Sequence, residues 1–379
     1  MPQTVGTLAG AVNDGTLLGM YTWGAAANGR LGNGTTTPDV TSPTSIYSSE
    51  WKCVAQGNNF LAAVKWDGSL WSCGANNVYQ LGQPNTTQLT SLTRVGTGND
   101  WSIVSGGGGA MGAIKRDGTL WTCGNNVNYR TAQGTNTGST IGMTQVDSDS
   151  DWKYVLMGST NLFAIKTNGD MYSCGANLAY VTAQGTNTGE TSSLTKIGSS
   201  TWSMVHTGER DANGGAVAAI GSDGKAYSWG ANTYYGTAQG TNSGTTNSPT
   251  EFNADTTWTD VCCCVYNGSG INAGKLFSWG TNQSYRTGQG TNTGSTTTET
   301  QIGSATTWSG RSIVQQQAGY AIQNGELYSW GLNTNGRTGQ GTTSGNTTSP
   351  TKIGSATTWT TTSSESAAGA LTTSGLALR

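Results

Sequence analysis

Short runs in which apolar and polar residues alternate recur along the whole chain. The most regular is an aromatic-Ser/Thr-Trp/Cys-Gly segment, ending at Gly24, Gly74, Gly124, Gly175, Gly230, Gly280 and Gly331. Successive copies lie 50, 50, 51, 55, 50 and 51 residues apart. A small apolar run such as AAVK, GAIK, FAIK or AAIG precedes most copies. Between run and segment stands Asp67-Gly68, Asp117-Gly118, Asn168-Gly169, Asp223-Gly224 or Asn324-Gly325. Period-two alternation predicts strands with one face buried, and Asp-Gly or Asn-Gly favours the left-handed backbone of a tight type I′ hairpin. Upstream, a Trp three residues before a Val (Trp51/Val54, Trp101/Val104, Trp152/Val155, Trp202/Val205, Trp258/Val261) opens the repeat. Downstream come a polar Gly/Thr/Asn loop and a short Ser-Pro-Thr segment, as at 349–353 and, in variant form, at 248–252. Each repeat therefore predicts four short strands and no helix of consequence.

Four such strands cannot bury both faces of their own sheet. Stacking the sheets radially covers both faces and leaves only short edges, which is the propeller arrangement. The expected fold is all-β: a seven-bladed β-propeller of four-stranded blades, with the closing blade shared by both termini. Residues 359–379 replay the first three strands of a repeat, ending in Ser374-Gly375-Leu376-Ala377-Leu378-Arg379. The N-terminus supplies its own turn, Asn13-Asp14-Gly15, before the strand ending at Gly24. The closing hairpin is thus present twice, which leaves eight blades, two of them incomplete, as the alternative. Residues 1–19 form an N-terminal arm or closing strands, and residues 20–379 a single propeller domain.

Composition narrows the function. Charged residues are 10% of the chain, against roughly 25% in ordinary globular proteins, and the net charge is −2. No basic stripe is present for a phosphate backbone, so nucleic acid is not an expected partner. With 14 Trp and 14 Tyr against 6 Pro, the chain is too aromatic for a disordered one. No apolar run approaches the roughly 20 residues that span a bilayer, and MPQTVGTLAG has no basic and apolar signal-peptide pattern. A soluble protein made in the cytoplasm, without membrane insertion, is expected.

The order W-x-x-V, apolar-x-x-D-G, L-Y-S-W-G, G-R-T-G-Q-G, S-P-T resembles the regulator-of-chromosome-condensation repeat family. The resemblance spans roughly residues 9–379 and implies a seven-bladed propeller. It implies little about activity, because propellers host unrelated functions. The tract Gly-Gln/Ala-Gly-Thr-Asn-Thr-Gly-Ser-Thr is similar to propeller proteins encoded by environmental phages.

Candidate chemistry is sparse. Cys73, Cys123 and Cys174 occupy the slot that holds Trp23, Trp229, Trp279 and Trp330 in other repeats, which reads as a packing position. Cys262, Cys263 and Cys264 lie on one inner strand, where neighbours face opposite ways and cannot all meet one metal. His206 is the lone histidine, and Glu209 and Asp211 sit in what reads as an inserted, solvated loop. Gly106 to Gly109 lack the Lys-Ser/Thr of a phosphate loop. No catalytic residue, cofactor or metal is expected. The candidate binding residues are in the loop after each Trp/Cys-Gly: Tyr129, Arg130 and Gln133; Tyr180 and Gln184; Tyr235 and Gln239; Tyr285, Arg286 and Gln289; Arg337 and Gln340. Blade geometry sets these loops on one rim, where Tyr, Arg and Gln suit sugar hydroxyls or a protein partner. The same residues also suit a purely structural role, bridging blade to blade. If they bind, removing Arg130, Arg286 and Arg337 together should abolish binding without unfolding the ring.

The low charge, near-identical repeats and missing signal peptide point to a non-enzymatic bacteriophage virion protein: a tail fibre, baseplate or head decoration used for attachment. Its expected location is the virion, and its partners are other virion proteins and a host cell-surface glycan or receptor. The alternatives are a secreted protein-binding or inhibitor propeller and an intracellular exchange-factor-like adaptor.

Overall fold

A computed structural model describes residues 18–136, 138–187, 189–207, 215–264, 266–314, 318–362 and 374–379. The Trp-x-x-Val segments are innermost strands. In one blade Trp101–Gly106 is followed by antiparallel Ala110–Lys115, Leu120–Asn125 and Ser139–Gln145; we call this blade 2. Blade 1 begins at Trp51, and Trp152–Met157, Trp202–Thr207, Trp258–Cys263 and Trp308–Val314 open blades 3 to 6.

Blade 7 is assembled from both ends of the chain. Its strands, from the centre outward, are Thr361–Thr362, Ser374–Leu378, Leu18–Gly24 and the first half of Val40–Gln56. Val40–Gln56 then continues into blade 1, so that Tyr47 lies opposite Met20 while Val54 lies opposite Ala63. This makes seven blades among the described residues, each with four strands. The reading of the C-terminus as three successive strands is corrected: Ser374–Leu378 is a second strand, and the third is Leu18–Gly24, with Met20 opposite Leu378 and Thr22 opposite Leu376. Apolar matching explains the choice. Leu376 and Leu378 join Leu18, Met20, Trp51 and Leu61 in one buried cluster. Asn13-Asp14-Gly15 and all of the 1–19 arm except Leu18 and Gly19 lie outside the described residues.

The core sits in the seams between blades. Phe60, Ala62 and Val64 of blade 1 meet Trp101, Val104 and Met111 of blade 2. Tyr154 and Phe163 of blade 3 meet Trp202, Val205 and Trp229 of blade 4. Burying such a side chain contributes roughly 1.5–3 kcal/mol, and each blade collects that contribution only beside its neighbours.

The two faces of the ring differ. On the turn face, Asp117 Oδ1 accepts from the Thr119 amide and hydroxyl at 3.0 and 2.7 Å, and Gly118 takes φ +83°. A Cβ on Gly118 would stand 2.0 Å from the Ser150 carbonyl of the next connection, so both backbone conformation and space require glycine here. This face also carries the ion pairs. Lys65 meets Glu50 at 3.0 Å, Lys115 meets Asp100 at 3.1 Å, and Lys166 meets Asp149 and Asp151 at 2.6 and 3.0 Å. Lys225–Glu251 and Lys352–Glu326 follow at 2.9 and 2.6 Å. The opposite, loop face holds the short 3₁₀ turns after each third strand.

Candidate binding rim

In blades 2 to 6 each loop is tied down by an asparagine that sequence reasoning did not single out. Asn126 Nδ2 donates to the Thr135 carbonyl at 2.6 Å, and Asn126 Oδ1 accepts from the Thr131 amide at 3.3 Å. Asn177, Asn232, Asn282 and Asn333 likewise accept from the amides of Thr182, Thr237, Thr287 and Thr338. Their invariant place two residues after the strand-ending glycine is the signal that could have revealed them.

The predicted binding residues mostly serve the same purpose. Gln133, Gln184, Gln239, Gln289 and Gln340 each donate at 3.1 Å to a third-strand hydroxyl (Thr122, Ser173, Ser228, Ser278 and Ser329). Each also donates to a carbonyl of its own outer strand. Arg130 is buried: Nε donates to Val127 O at 2.9 Å, and Nη1 to Gly108 O and, across the seam, Ser159 O at 2.9 and 2.7 Å. Arg286 and Arg337 are also buried, donating from Nε to Gln283 O at 2.8 Å and Thr334 O at 3.1 Å. Arg30, absent from the sequence-derived set, does the same with Ala27 O and reaches Asn58 O in blade 1. Burial lowers Arg30 and Arg286 below the ordinary guanidinium value. The expectation that the arginine triple variant leaves the ring intact is therefore corrected, since the buried carbonyls these side chains satisfy would be left without partners.

Tyr129, Tyr180, Tyr235 and Tyr285 are half-buried, with left-handed φ of 59–63°. Their segments supply carbonyls to the next blade. Trp229, Trp279, Trp330 and Trp23 donate from Nε1 to Val181, Gly236, Arg286 and Arg337 O at 2.8, 3.0, 3.0 and 2.9 Å. In the same slot the Cys123 and Cys174 thiols point to Gln80 and Tyr129 O at 3.8 and 3.5 Å. Trp and Cys share the position because both offer a donor to the preceding blade. Burial pushes the thiols of Cys73, Cys123 and Cys174 up to about 12, which keeps them protonated and unreactive at neutral pH.

The loop face also exposes three large apolar side chains. Val127, Leu178 and Tyr234 are 46%, 39% and 39% exposed, at the tips of the turns in three successive blades. Tyr234 leans on Tyr266 of blade 5, with ring centroids 5.0 Å apart. The ion pairs gather on the other face, and this arc is bordered by Asn, Gln and Thr together with Glu190, which accepts from Asn128 and Asn136.

His206 lies between the innermost strands of blades 4 and 5, with Nε2 3.5 Å from Cys262 Sγ and Nδ1 accepting from the Cys263 amide at 3.4 Å. Both side chains are enclosed, His206 being 4% and Cys262 1% exposed. Glu209 and Asp211 lie outside the described residues. Among the described residues no group of three His, Cys, Asp or Glu is placed to hold a metal ion, and no helix is long and apolar enough to cross a membrane.

Residues 324–369 match the family model described as the Regulator of chromosome condensation (RCC1) repeat. The chain resembles the RCC1-repeat propellers. Human WBSCR16 superimposes with a TM-score of 0.81 at 20% identity, over 96% of this chain and 99% of that one. Prp20p from Saccharomyces cerevisiae, described with its binding properties to Gsp1p and histones, gives a TM-score of 0.78 at 15% identity, over 96% and 92%. Yeast RCC1 (Prp20) bound by Kap60 gives 0.81 at 15% identity, over 100% and 94%. No curated protein sequence matches the chain. At these identities the likeness establishes the fold. It also corrects the expected virion location: these three solved propellers, which share the fold over nearly the full chain, are human and yeast proteins.

Proposed function

We propose that the chain is a non-enzymatic, protein-binding propeller that docks its partner on the loop face. One observation carries this reading: Val127, Leu178 and Tyr234 stand exposed on consecutive blades of one face. Interface cores are enriched in aromatic and apolar side chains and depleted in charge, and a few such anchors supply most of the affinity. The likeness to Prp20p, described as binding Gsp1p and histones and solved in complex with Kap60, supports an intracellular adaptor or exchange-factor-like role. Tyr129, Tyr180, Tyr235 and Tyr285 flank the anchors in this reading, and the buried arginines and the glutamines hold the loops that present them.

The test replaces Leu178 with a photo-crosslinking residue in one variant and Arg116, on the turn face, in another. One partner should be captured from Leu178 and not from Arg116. The triple variant Val127→Asp, Leu178→Asp, Tyr234→Asp should then weaken binding of that partner at least ten-fold with an unchanged Tm. Equal crosslinking from both faces, or undiminished affinity of the triple variant, would sink the proposal.

A further inference from the structure

In blades 3, 4 and 6 an ion pair joins the third and fourth strands, Asp170–Lys196, Lys225–Glu251 and Glu326–Lys352, while blades 1, 2, 5 and 7 hold other residues at these two positions. Between blades 5 and 6, Ile302, Ala305, Trp308 and Tyr328 pack together. In blade 6, Glu326 pairs with Lys352 at 2.6 Å and accepts from Tyr328 Oη at 2.9 Å. Between blades 6 and 7 the same packing set recurs as Ile353, Ala356, Trp359 and Tyr21. There, however, Gly19 precedes Met20-Tyr21 as Glu326 precedes Leu327-Tyr328, and Ser45 follows Ser42-Pro43-Thr44 as Lys352 follows Ser349-Pro350-Thr351. A glycine and a serine thus stand at these positions in blade 7. Beside the seam with blade 6 lies a cleft of about 470 Å³, walled by Tyr21, Pro43, Gln340, Ile353, Trp359 and Arg379.

Arg379 sets this cleft apart. Its guanidinium lies 4.6 Å from the Tyr21 ring and 5.6 Å from the Trp359 ring. Lys65, Lys115 and Lys166 hold the same position in blades 1 to 3, stacked over two aromatic rings, and each pairs with a carboxylate. Glu50, Asp100 and Asp151 supply that carboxylate from the residue before the strand-opening Trp; before Trp359 stands Thr358. Among the described residues no carboxylate forms an ion pair with Arg379. An aromatic-backed guanidinium at the mouth of an open cleft is a site for an anion with an apolar stem.

We propose that this cleft receives an aspartate or glutamate side chain of a partner polypeptide. The carboxylate takes the place on Arg379 that Glu50 takes on Lys65, and the flanking chain lies against Tyr21, Pro43 and Ile353. The choice of a polypeptide rests on the protein-binding reading above. The volume lies within the range of pockets that enclose a ligand of several residues' bulk.

The experiment uses the full ¹⁵N-labelled chain and follows the Trp359 indole signal, assigned with Trp359→Phe. The probes are acetyl-Leu-Glu-Leu-amide, acetyl-Leu-Gln-Leu-amide and glucuronate. The glutamate peptide should shift the signal saturably, with the glutamine peptide at least ten-fold weaker. Arg379→Gln should erase that preference, and Ala356→Trp, which fills the cleft and keeps Arg379, should erase binding of both peptides. A melting curve of each variant checks that the ring stays closed. No saturable shift, equal binding of both peptides, or unchanged binding in Ala356→Trp would overturn the proposal. Glucuronate binding as tightly as the glutamate peptide would overturn it too, by making the cleft a sugar-acid site. Loop-face crosslinking reads the adaptor proposal separately, so failure of either is distinguishable from failure of the other.

Discussion

Trp279 faces Gly268 across two strands of blade 5, and a Cβ on that glycine would stand 2.2 Å from the indole. Trp330 and Gly319 repeat the arrangement in blade 6 at the same distance. Where the slot holds Cys73, Cys123 or Cys174, the opposite residue is Leu61, Met111 or Leu162. Across these pairs volume is balanced, as close packing demands; blade 4 departs from it, with Trp229 opposite Val217. Gly268→Leu should destabilise the ring by about 1–3 kcal/mol through overpacking, and Trp279→Cys by about 3–5 kcal/mol through the cavity it leaves. The double variant recreates the Leu162–Cys174 pair and should cost at least about 1 kcal/mol less than the sum; chemical denaturation of the four proteins measures the coupling. The Trp/Cys exchange was legible in the sequence as a packing position. Its glycine partner was not, because a pair 11 residues apart shows itself only when the hairpin register is known.

Hairpins and loops were legible to different degrees. Asp-Gly and Asn-Gly mark tight turns through backbone chemistry alone, and Gly68, Gly118, Gly169 and Gly224 all adopt φ between +81 and +91°. The loop residues carry no such local meaning. Arg130 reads as a surface cation until its acceptors are known, and these lie 22 and 29 residues away on two blades. The turn aspartates carry a pH signature. The hydrogen bonds from Ser69 to Asp67 and from Thr119 to Asp117 hold both carboxyls below the ordinary aspartate value. A depressed folded value means that the stabilisation is present above the unfolded value and disappears as pH falls through the folded one. Asp117→Asn should therefore be less stable than the parent near neutral pH, and the gap should close as pH drops from about 5 to about 2. Urea denaturation at several pH values checks the sign.

At the scale of the ring, the repeat period revealed the architecture and the blade count, while closure depended on packing. The Ser374-Gly375 pair looks like another turn, yet Leu376 and Leu378 match the apolar face beside Leu18–Gly24 and settle there as a second strand. That single ladder is what makes the sheet stack a ring, so one core residue in it should matter far more than an exposed one elsewhere. Leu376→Asp places a charge at a site 3% exposed and should cost about 3–5 kcal/mol. Ile141→Asp, at a site 58% exposed, should stay within about 0.5 kcal/mol. Thermal melts with limited proteolysis would show the first variant opening at the blade 7 seam and the second intact. The antiparallel ladder also gives the ring a mechanical character. Leu18 and Arg379 lie at the same end of it, joined by reciprocal Gly19 and Arg379 amide-to-carbonyl bonds at 2.8 and 3.1 Å. A load applied between them opens one bond pair after another, like a zipper, instead of shearing all five residue pairs of the ladder together. A tether at each of these residues would therefore find the clasp of the ring far weaker than its seams.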